Sequence, residues 1–382
     1  MPGNKNYIVI FILFVIYYSQ GSFYQTGSIL SQISLFLILS ISFYYFIKLQ
    51  FVKNNKNSFN RAWTILLLIN IIGFIFTADF NNLNHVSMLK NTLGCMLPFY
   101  PFYYFSIKNQ LNPSYYISFF LIILPITIFQ YYNNQITVYN NSISSDINLV
   151  NNVAYSFVSL MPYILFFKNK KLIPVILLGL IMAFIIQGAK RGAIISGISI
   201  LFLYFYFQFK IIDKKNKIKG YLTAIIVILL LSSFAYYKFI NNDFLVNRMI
   251  AITEGDSSGR DYIYKTIFTH WYKESNLANY IFGYGYASSL KITNGLFAHN
   301  DWLELLSNFG LIGIISYLYL FYIAIRYCFN KEWNLDKRIL MITITISWFI
   351  ITLVSMWYTT LNGYTQAIIL AYLVGSKNKS IR

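Results

Sequence analysis

Lys219-Gly-Tyr-Leu-Thr-Ala-Ile-Ile-Val-Ile-Leu-Leu-Leu-Ser-Ser-Phe-Ala-Tyr-Tyr-Lys-Phe-Ile240 carries charge only at Lys219 and Lys238, with an uncharged, predominantly apolar stretch between them. A helix rises about 1.5 Å per residue, so about 20 apolar residues cross the roughly 30 Å of bilayer hydrocarbon. The run does not alternate polar with apolar, which excludes a strand of a transmembrane barrel and leaves a helix to satisfy the backbone in lipid. Working outward, eleven further runs have the same character: 7–23, 28–49, 62–78, 86–107, 114–132, 148–167, 171–187, 192–209, 300–326, 338–357 and 363–376. Only 11% of the 382 residues are charged, while 57% are hydrophobic and 20% aromatic. Soluble domains carry about a quarter charged residues, so this composition excludes that class. The expected fold is an all-α integral membrane protein of about twelve transmembrane helices, a single polytopic domain over 1–382.

The placement of charge orients the helices. Met1-Pro-Gly-Asn-Lys-Asn6 leads into the first apolar run without a small-residue cleavage site, so that run reads as a retained span and not as a removed signal peptide. With the N-terminus inside, the inner segments hold Lys5; Lys48, Lys53, Lys56, Arg61; Lys108; Lys168, Lys170, Lys171; Lys210, Lys214, Lys215, Lys217, Lys219; Arg326, Lys331, Lys337, Arg338; and Lys377, Lys379, Arg382. These are 21 of the 30 basic residues, against three inner acids, Asp213, Glu332 and Asp336. The outer side then balances, and the whole net charge of +18 lies on the cytoplasmic face, as the positive-inside rule requires of a chain with both termini cytoplasmic. The same placement removes nucleic acid as a partner. Lysines flanking spans on the inner side are orientation signals and contacts to anionic membrane lipids. Cys95 and Cys328 are far apart in sequence without His or Cys neighbours, so neither a disulfide nor zinc is indicated.

Most outer loops (20–27, 79–85, 133–147 and 358–362) lack Lys and Arg. Two places break that pattern. The first is the tight turn Gln187-Gly-Ala-Lys-Arg-Gly192. A basic pair on the wrong side has two readings: snorkelling to outer-leaflet phosphates, or an anion site with Arg191 at the N-terminal end of its helix. There unpaired N–H groups and the helix dipole already favour phosphate, and a planar guanidinium matches phosphate oxygens. The second is 241–298, one large outer loop between the ninth and tenth spans. Long loops of this kind are often functional. Within it, about 261–274 reads as an amphipathic helix with Tyr264, Ile267, Phe268 and Trp271 on one face, lying on the membrane surface or over the bundle. His270 on that helix reads as interfacial packing. Phe282-Gly-Tyr-Gly285 follows as a turn permitting close backbone approach. Ala298-His-Asn-Asp-Trp-Leu-Glu-Leu-Leu306 then opens the tenth span. Asp301 and Glu304 have capping-box spacing and read as helix initiation. His299 precedes that cap, at the mouth of a positively polarised helix end, and both a structural and a chemical role stay open there.

The C-terminal half resembles the O-antigen polymerase and O-antigen ligase superfamily. The resemblance rests on Lys190-Arg191-Gly192, Ser258-Gly259-Arg260, Phe282-Gly283-Tyr284-Gly285 and the run from His299, in which His299, Asn300, Leu303, Leu306, Gly310 and Gly313 match the pattern HN-x-x-L-x-x-L-x-x-x-G-x-x-G. It covers about 187–320, and earlier spans agree in topology only. Lys190 departs from the small hydroxyl residue that many members carry before the arginine. The resemblance implies a metal-independent glycosyltransferase without a cofactor. It would work at the periplasmic face of the bacterial inner (cytoplasmic) membrane on glycans linked to undecaprenyl pyrophosphate, with a chain-length regulator and a flippase as partners. Arg191 and Arg260 would bind the pyrophosphate and take up the charge of the leaving group. His299, of a residue type whose ordinary pKa is about 6.5, would accept the proton of the attacking sugar hydroxyl. Lys190, Asn300, Gly283 and Gly285 would line the substrate, and Tyr284, Tyr286 and Trp302 would stack on sugar faces.

Three activities compete. A polymerase joins a growing lipid-linked chain to one lipid-linked repeat unit, a ligase moves the finished chain to lipid A–core, and a transporter moves the lipid-linked unit without chemistry. Span interiors are nearly free of charge, which counts against a coupled carrier. The compact outer loop, with Ser-Gly-Arg ahead of Phe-Gly-x-Gly, resembles the polymerases more than the ligases.

Overall fold

A computed structural model describes residues 6–51, 57–144, 150–167, 172–211, 217–241, 250, 259–360 and 363–376. Of the residues singled out above, Lys5, Lys53, Lys56, Lys168, Lys170, Lys171, Lys214, Lys215, Lys377, Lys379, Arg382, Asp213 and Ser258 lie outside them. Among the described residues there is no strand. The helices are α1 (Asn6–Tyr18), α2 (Ile29–Gln50), α3 (Ser58–Thr77), α4 (Leu83–Met96), α5 (Phe99–Ile107), α6 (Pro113–Ser144), α7 (Ala154–Leu160, continued as a 3-10 turn over Met161–Phe166), α8 (Leu172–Gln187), α9 (Arg191–Ile211), α10 (Lys217–Ile240), α11 (Arg260–Tyr272), α12 (Leu277–Phe282), α13 (Ser288–Ile292), α14 (Asp301–Cys328), α15 (Leu335–Val354) and α16 (Tyr364–Gly375).

The chain is an all-α membrane protein. Among the described residues, seven helices are long and apolar enough to cross a bilayer: α2, α3, α6, α9, α10, α14 and α15. The other expected spans meet shorter helices. Proline marks two of these cases. The run at 86–107 is split at Leu97–Pro98 into α4 and α5, because a proline ring has no N–H to donate and clashes with the preceding turn. The run at 148–167 begins only at Ala154 and tightens into the 3-10 turn where Pro162 enters.

The chain divides into two compact units, Met1–Ile38 with Asn109–Gly255 and Leu39–Lys108 with Asp256–Arg382. In the first, α8 packs against α7, α9 and α10, and α1 lies on α6. The loop after α1 is pinned to α6 by Gln130, which donates to the Gln20 carbonyl at 3.3 Å, and by Asn133, which donates to the carbonyls of Gly21 and Ser22 at 3.1 Å each. In helix α10 only Ala224 is buried, and the other described side chains are exposed or half-buried.

In the second unit, α14 packs on α3 and α15, and α16 lies against α5. Lipid is as apolar as leucine, so helices in a membrane associate through close packing and hydrogen bonds. Both are present. Trp63 and Trp348 are wholly buried, and the Phe321 and Trp348 rings stack at 4.2 Å. The Trp63 indole donates to the Met96 carbonyl at 3.0 Å, and the Trp357 indole to Gln366 Oε1 at 2.9 Å. At the α5–α16 contact, Ser106 donates to the Tyr372 carbonyl at 2.8 Å, beside Gly375. Cys95 and Cys328 are buried free thiols.

Candidate functional site

Two helix N-termini carry the residues singled out by sequence, one in each unit. In the second unit the site is built on the start of α14. Asn300 is the cap: its Oδ1 accepts the N–H groups of Trp302 at 2.9 Å and Leu303 at 3.1 Å. This satisfies two of the four donors that a helix start leaves unpaired. His299, directly before the cap, is exposed and takes a left-handed backbone with φ of 49°. A β-carbon is disfavoured in that region, so packing on both sides of the residue must hold it there.

The capping reading of Asp301 and Glu304 is corrected here. The cap lies one residue earlier, on Asn300, and both carboxylates are instead completely buried. Asp301 accepts from the Tyr317 hydroxyl at 2.8 Å and from the Trp357 N–H at 2.9 Å. Glu304 accepts from Ser289 Oγ at 2.8 Å, the Ala298 N–H at 3.1 Å and Asn308 Nδ2 at 3.2 Å. Spacing alone favours the exposed capping arrangement, and nothing local in the sequence announces the burial.

Opposite His299 stands the C-terminal end of α15, whose last carbonyls have no helical partner. Three side chains meet them. Arg260 Nη1 donates to the Val354 carbonyl at 2.8 Å, Asn300 Nδ2 to the Leu353 carbonyl at 3.1 Å, and the Tyr264 hydroxyl lies 3.3 Å from the Leu353 carbonyl and 3.4 Å from that of His299. Arg260 is the first residue of α11, after Gly259 in the left-handed conformation, and Tyr264 follows one turn later on the same side. Burial pushes the Tyr264 hydroxyl pKa up, with the Arg260 charge opposing. Arg260, Tyr264, His299 and Asn300, drawn from two separate stretches, therefore gather at one helix end.

Helix α11 is amphipathic with a face shifted from the expected one. Ile263, Ile267 and Trp271 are buried, with Ile263 and Ile267 packing beside Ala298 and Leu303, whereas Phe268 is exposed and only Tyr264 among its expected partners is half-buried. The buried set lies at successive intervals of four, and Phe268 falls one residue round from it. This helix thus covers the His299 segment of its own unit. His270 is exposed, its ring 4.7 Å from that of Tyr284.

The Phe282-Gly-Tyr-Gly285 turn and the glycines of α14 prove to be one piece of packing. Helix α14 is broken at Gly310, with φ of 56° and ψ of −144°. A β-carbon on Gly310 would stand 2.6 Å from the Gly283 nitrogen, and one on Gly283 2.5 Å from the Phe309 nitrogen. Both positions have positive φ, so neither space nor backbone admits a side chain. Tyr284 N–H donates to the Ser307 carbonyl across this contact at 2.8 Å. Gly285 sits against Thr77, whose hydroxyl accepts the Tyr286 N–H at 2.7 Å.

The aromatic candidates separate by burial. Tyr284 is half-buried, and its hydroxyl donates to the His270 carbonyl at 3.2 Å; burial and the Glu274 carboxylate push it up to about 12. Trp302 is half-buried, with its indole N–H on Thr352 Oγ1 at 3.0 Å and its ring against Tyr317 and Phe321. Tyr286 is only 1% exposed and packs edge-on to Phe74, so the expectation that it stacks on a sugar is overturned.

In the first unit, α8 ends at Gln187, Ala189 takes φ of 53°, and α9 begins at Arg191. Lys190 and Arg191 are half-buried. The turn is anchored by Asn151, a buried residue that sequence reading passed over. Its backbone N–H donates to the Gly188 carbonyl at 3.0 Å, and its Nδ2 to the Tyr131 carbonyl at 3.0 Å and Gln135 Oε1 at 3.2 Å. Its Oδ1 accepts from Asn134 at 2.7 Å and the Val153 N–H at 3.0 Å. In a chain rich in asparagine nothing in the sequence distinguishes it.

His85, also passed over, is buried at the start of α4, where its Nδ1 accepts the Asp79 N–H at 3.1 Å. Burial and then the charge of Lys291 hold its pKa below the ordinary value, against the pull of Asp79. Among the described residues no group of three His, Cys, Asp or Glu could hold a metal ion. No protein-family model matches the chain, and a search of curated proteins finds no similar one.

Proposed function

We propose that this chain is a membrane glycosyltransferase of about twelve spans with both termini cytoplasmic. It polymerises undecaprenyl-pyrophosphate-linked oligosaccharide repeat units, of O-antigen or capsule type, at the periplasmic face of the bacterial inner membrane. The observation that carries the reading is the gathering of exposed His299 with Arg260 and Asn300 at one helix end. The motifs that resemble the polymerase and ligase superfamily thereby supply a base and a cation to one surface. The Lys190–Arg191 pair supplies a second cationic helix start in the other unit.

In the proposed reaction a sugar hydroxyl of one lipid-linked unit attacks the anomeric carbon of the growing lipid-linked chain. The new glycosidic C–O bond forms as the bond to pyrophosphate breaks. The hydroxyl proton passes to the His299 imidazole, and undecaprenyl pyrophosphate departs with the bonding electrons. Arg260 takes up charge on the departing phosphates, and Arg191, with Lys190 beside it, offers phosphate a cation in its own unit. Tyr284 and Trp302 offer half-buried rings to sugars, while Gly283 and Gly285 shape the backbone beneath them. Partners on this reading are the lipid-linked glycans, membrane lipids, a flippase that delivers the units and a chain-length regulator.

A gel of surface polysaccharide from a strain lacking the gene tests the reading. Lipid A–core bearing one repeat unit and no ladder is the expected result. Bare lipid A–core with long chains accumulating on the lipid carrier makes the protein the ligase, and an unchanged ladder overturns both activities.

A further inference from the structure

We infer that Glu304 is a positioning residue for His299, acting through the backbone that enters α14; the inference rests on the proposed role of His299 as the base. Glu304 lies one turn inside the helix and is completely buried. Its carboxylate faces back toward the chain that leads into the helix. Oε2 takes the N–H of Ala298, the residue immediately before His299, at 3.1 Å, and Oε1 takes the Ser289 hydroxyl at 2.8 Å and the Asn308 amide at 3.2 Å. Asn308 in turn accepts both the N–H and the hydroxyl of Ser288, at 3.0 and 3.2 Å. One carboxylate therefore ties the two ends of the loop 288–298 to the first turns of α14.

The tie matters because of what it holds. His299 has a left-handed backbone, φ of 49°, while Asn300 after it is extended, with φ of −156° and ψ of 119°. Two successive residues in such different regions turn the chain sharply, and the direction of the His299 side chain follows from that turn. Asn300 is fixed from the far side by its cap bonds and by Leu353. Ala298 is the near-side anchor, and Glu304 holds it. Both oxygens of this buried side chain accept N–H or O–H bonds, and leaving such partners half-satisfied inside the protein is costly. With Glu304 replaced by Gln, one of the two oxygens becomes a donor. Either Ala298 or the Ser289–Asn308 pair then loses its acceptor, and the imidazole is no longer held at its place.

The test uses full-length protein assayed in membranes of the deletion strain, which hold the native lipid-linked repeat unit as the probe. Displacement of a catalytic group by about 1 Å costs about a hundredfold in rate. E304Q is expected to lower kcat by about that factor with KM for the lipid-linked unit unchanged. S289A, which removes one of the three bonds, should lower kcat about tenfold in the same sense. Membrane abundance and melting midpoint are measured alongside. If E304Q does not accumulate in the membrane, S289A alone decides. Wild-type kcat in the accumulated variants overturns the inference, as does a rise in KM with kcat intact, since positioning a base acts on kcat. H299A run in parallel separates the two levels. An active H299A overturns the role of His299 itself, whereas an inactive H299A with an active E304Q overturns only the role of Glu304.

Discussion

The basic turn of the first unit and the histidine segment of the second solve the same problem with different chemistry. Each presents a functional candidate at the start of a long helix, Arg191 on α9 and His299 before α14, and each turn contains one residue in an unusual backbone. Ala189 and His299 both have positive φ. Behind the basic turn stands a neutral carboxamide, that of Asn151, with four hydrogen bonds, while the Asn151 backbone N–H holds the Gly188 carbonyl. Behind the histidine segment stand two buried carboxylates, Asp301 and Glu304. On the proposed reading, the difference fits the role of each site. A carboxylate beside Arg191 would compete with phosphate for the guanidinium, whereas a neutral amide positions the turn and leaves the cation its charge. Around His299 the buried acids act through the hydrogen bonds they accept, the Ala298 N–H on Glu304 among them.

The largest effect expected from breaking this arrangement is at the histidine. His299→Ala should abolish polymer in cells while the protein remains in the membrane, because His299 is exposed. A normal polysaccharide ladder from that variant would sink the assigned base. Arg191→Lys should come next. A lysine keeps the charge but loses the planar fork, and most polymer should be lost on the same gel; full activity would make Arg191 a snorkelling residue.

Gly310→Ala attacks the second unit at its frame. The substitution forces a β-carbon into a left-handed position and against the Gly283 nitrogen and the Ile281 carbonyl. Backbone strain of about 1–2 kcal/mol adds to overpacking of about 1–3 kcal/mol. Immunoblotting of membranes should show markedly less protein, and Gly283→Ala should match it. Wild-type abundance in either variant would separate the two glycines that the structure joins.

These variants also mark what the sequence made legible. Apolar runs placed the helices because the bilayer imposes one length on every span, and the prolines that shortened particular runs are themselves visible at Pro98 and Pro162. Arg191 was placed at a helix start because a tight turn between two apolar runs leaves no other position for it. The glycines were visible as a pattern, but only packing shows that Gly283 and Gly310 are halves of one contact. Least legible were the buried hubs. The spacing of Asp301 and Glu304 signalled an exposed cap, and the cap moved to Asn300 because its short carboxamide reaches two N–H groups of the first turn. The buried face of α11 holds Ile267 and Trp271 as expected but takes Ile263 and leaves Phe268 exposed, because Ile263 fills space beside Ala298, a partner surface that no local pattern specifies.

Asn151→Asp exchanges the chemistry of one site for that of the other. The aspartate keeps an acceptor for Asn134 and Val153, but its second oxygen faces the Tyr131 carbonyl and Gln135 Oε1, both acceptors in this arrangement. Two lost bonds at about 1 kcal/mol each should lower the melting midpoint, and the displaced turn should cut polymerisation about tenfold. If the rate is unchanged, Asn151 supports the fold without setting Arg191, and the parallel with Glu304 fails.

The smallest expected effect is at Tyr264, and it sharpens the comparison by separating the side chains at the end of α15. Arg260 and Asn300 reach their carbonyls at 2.8 and 3.1 Å, whereas the Tyr264 hydroxyl stands 3.3 and 3.4 Å from its two acceptors. Hydrogen bonds weaken with length, and a half-buried one at this distance contributes less than about 1 kcal/mol. The ring of Tyr264, half-buried beside Ile263 and Ile267, stays in Tyr264→Phe. Polymer yield should therefore remain within about threefold of wild type. A loss as deep as that of His299→Ala would mean that the hydroxyl itself reaches the reacting groups, and the base would then have to be sought on α11.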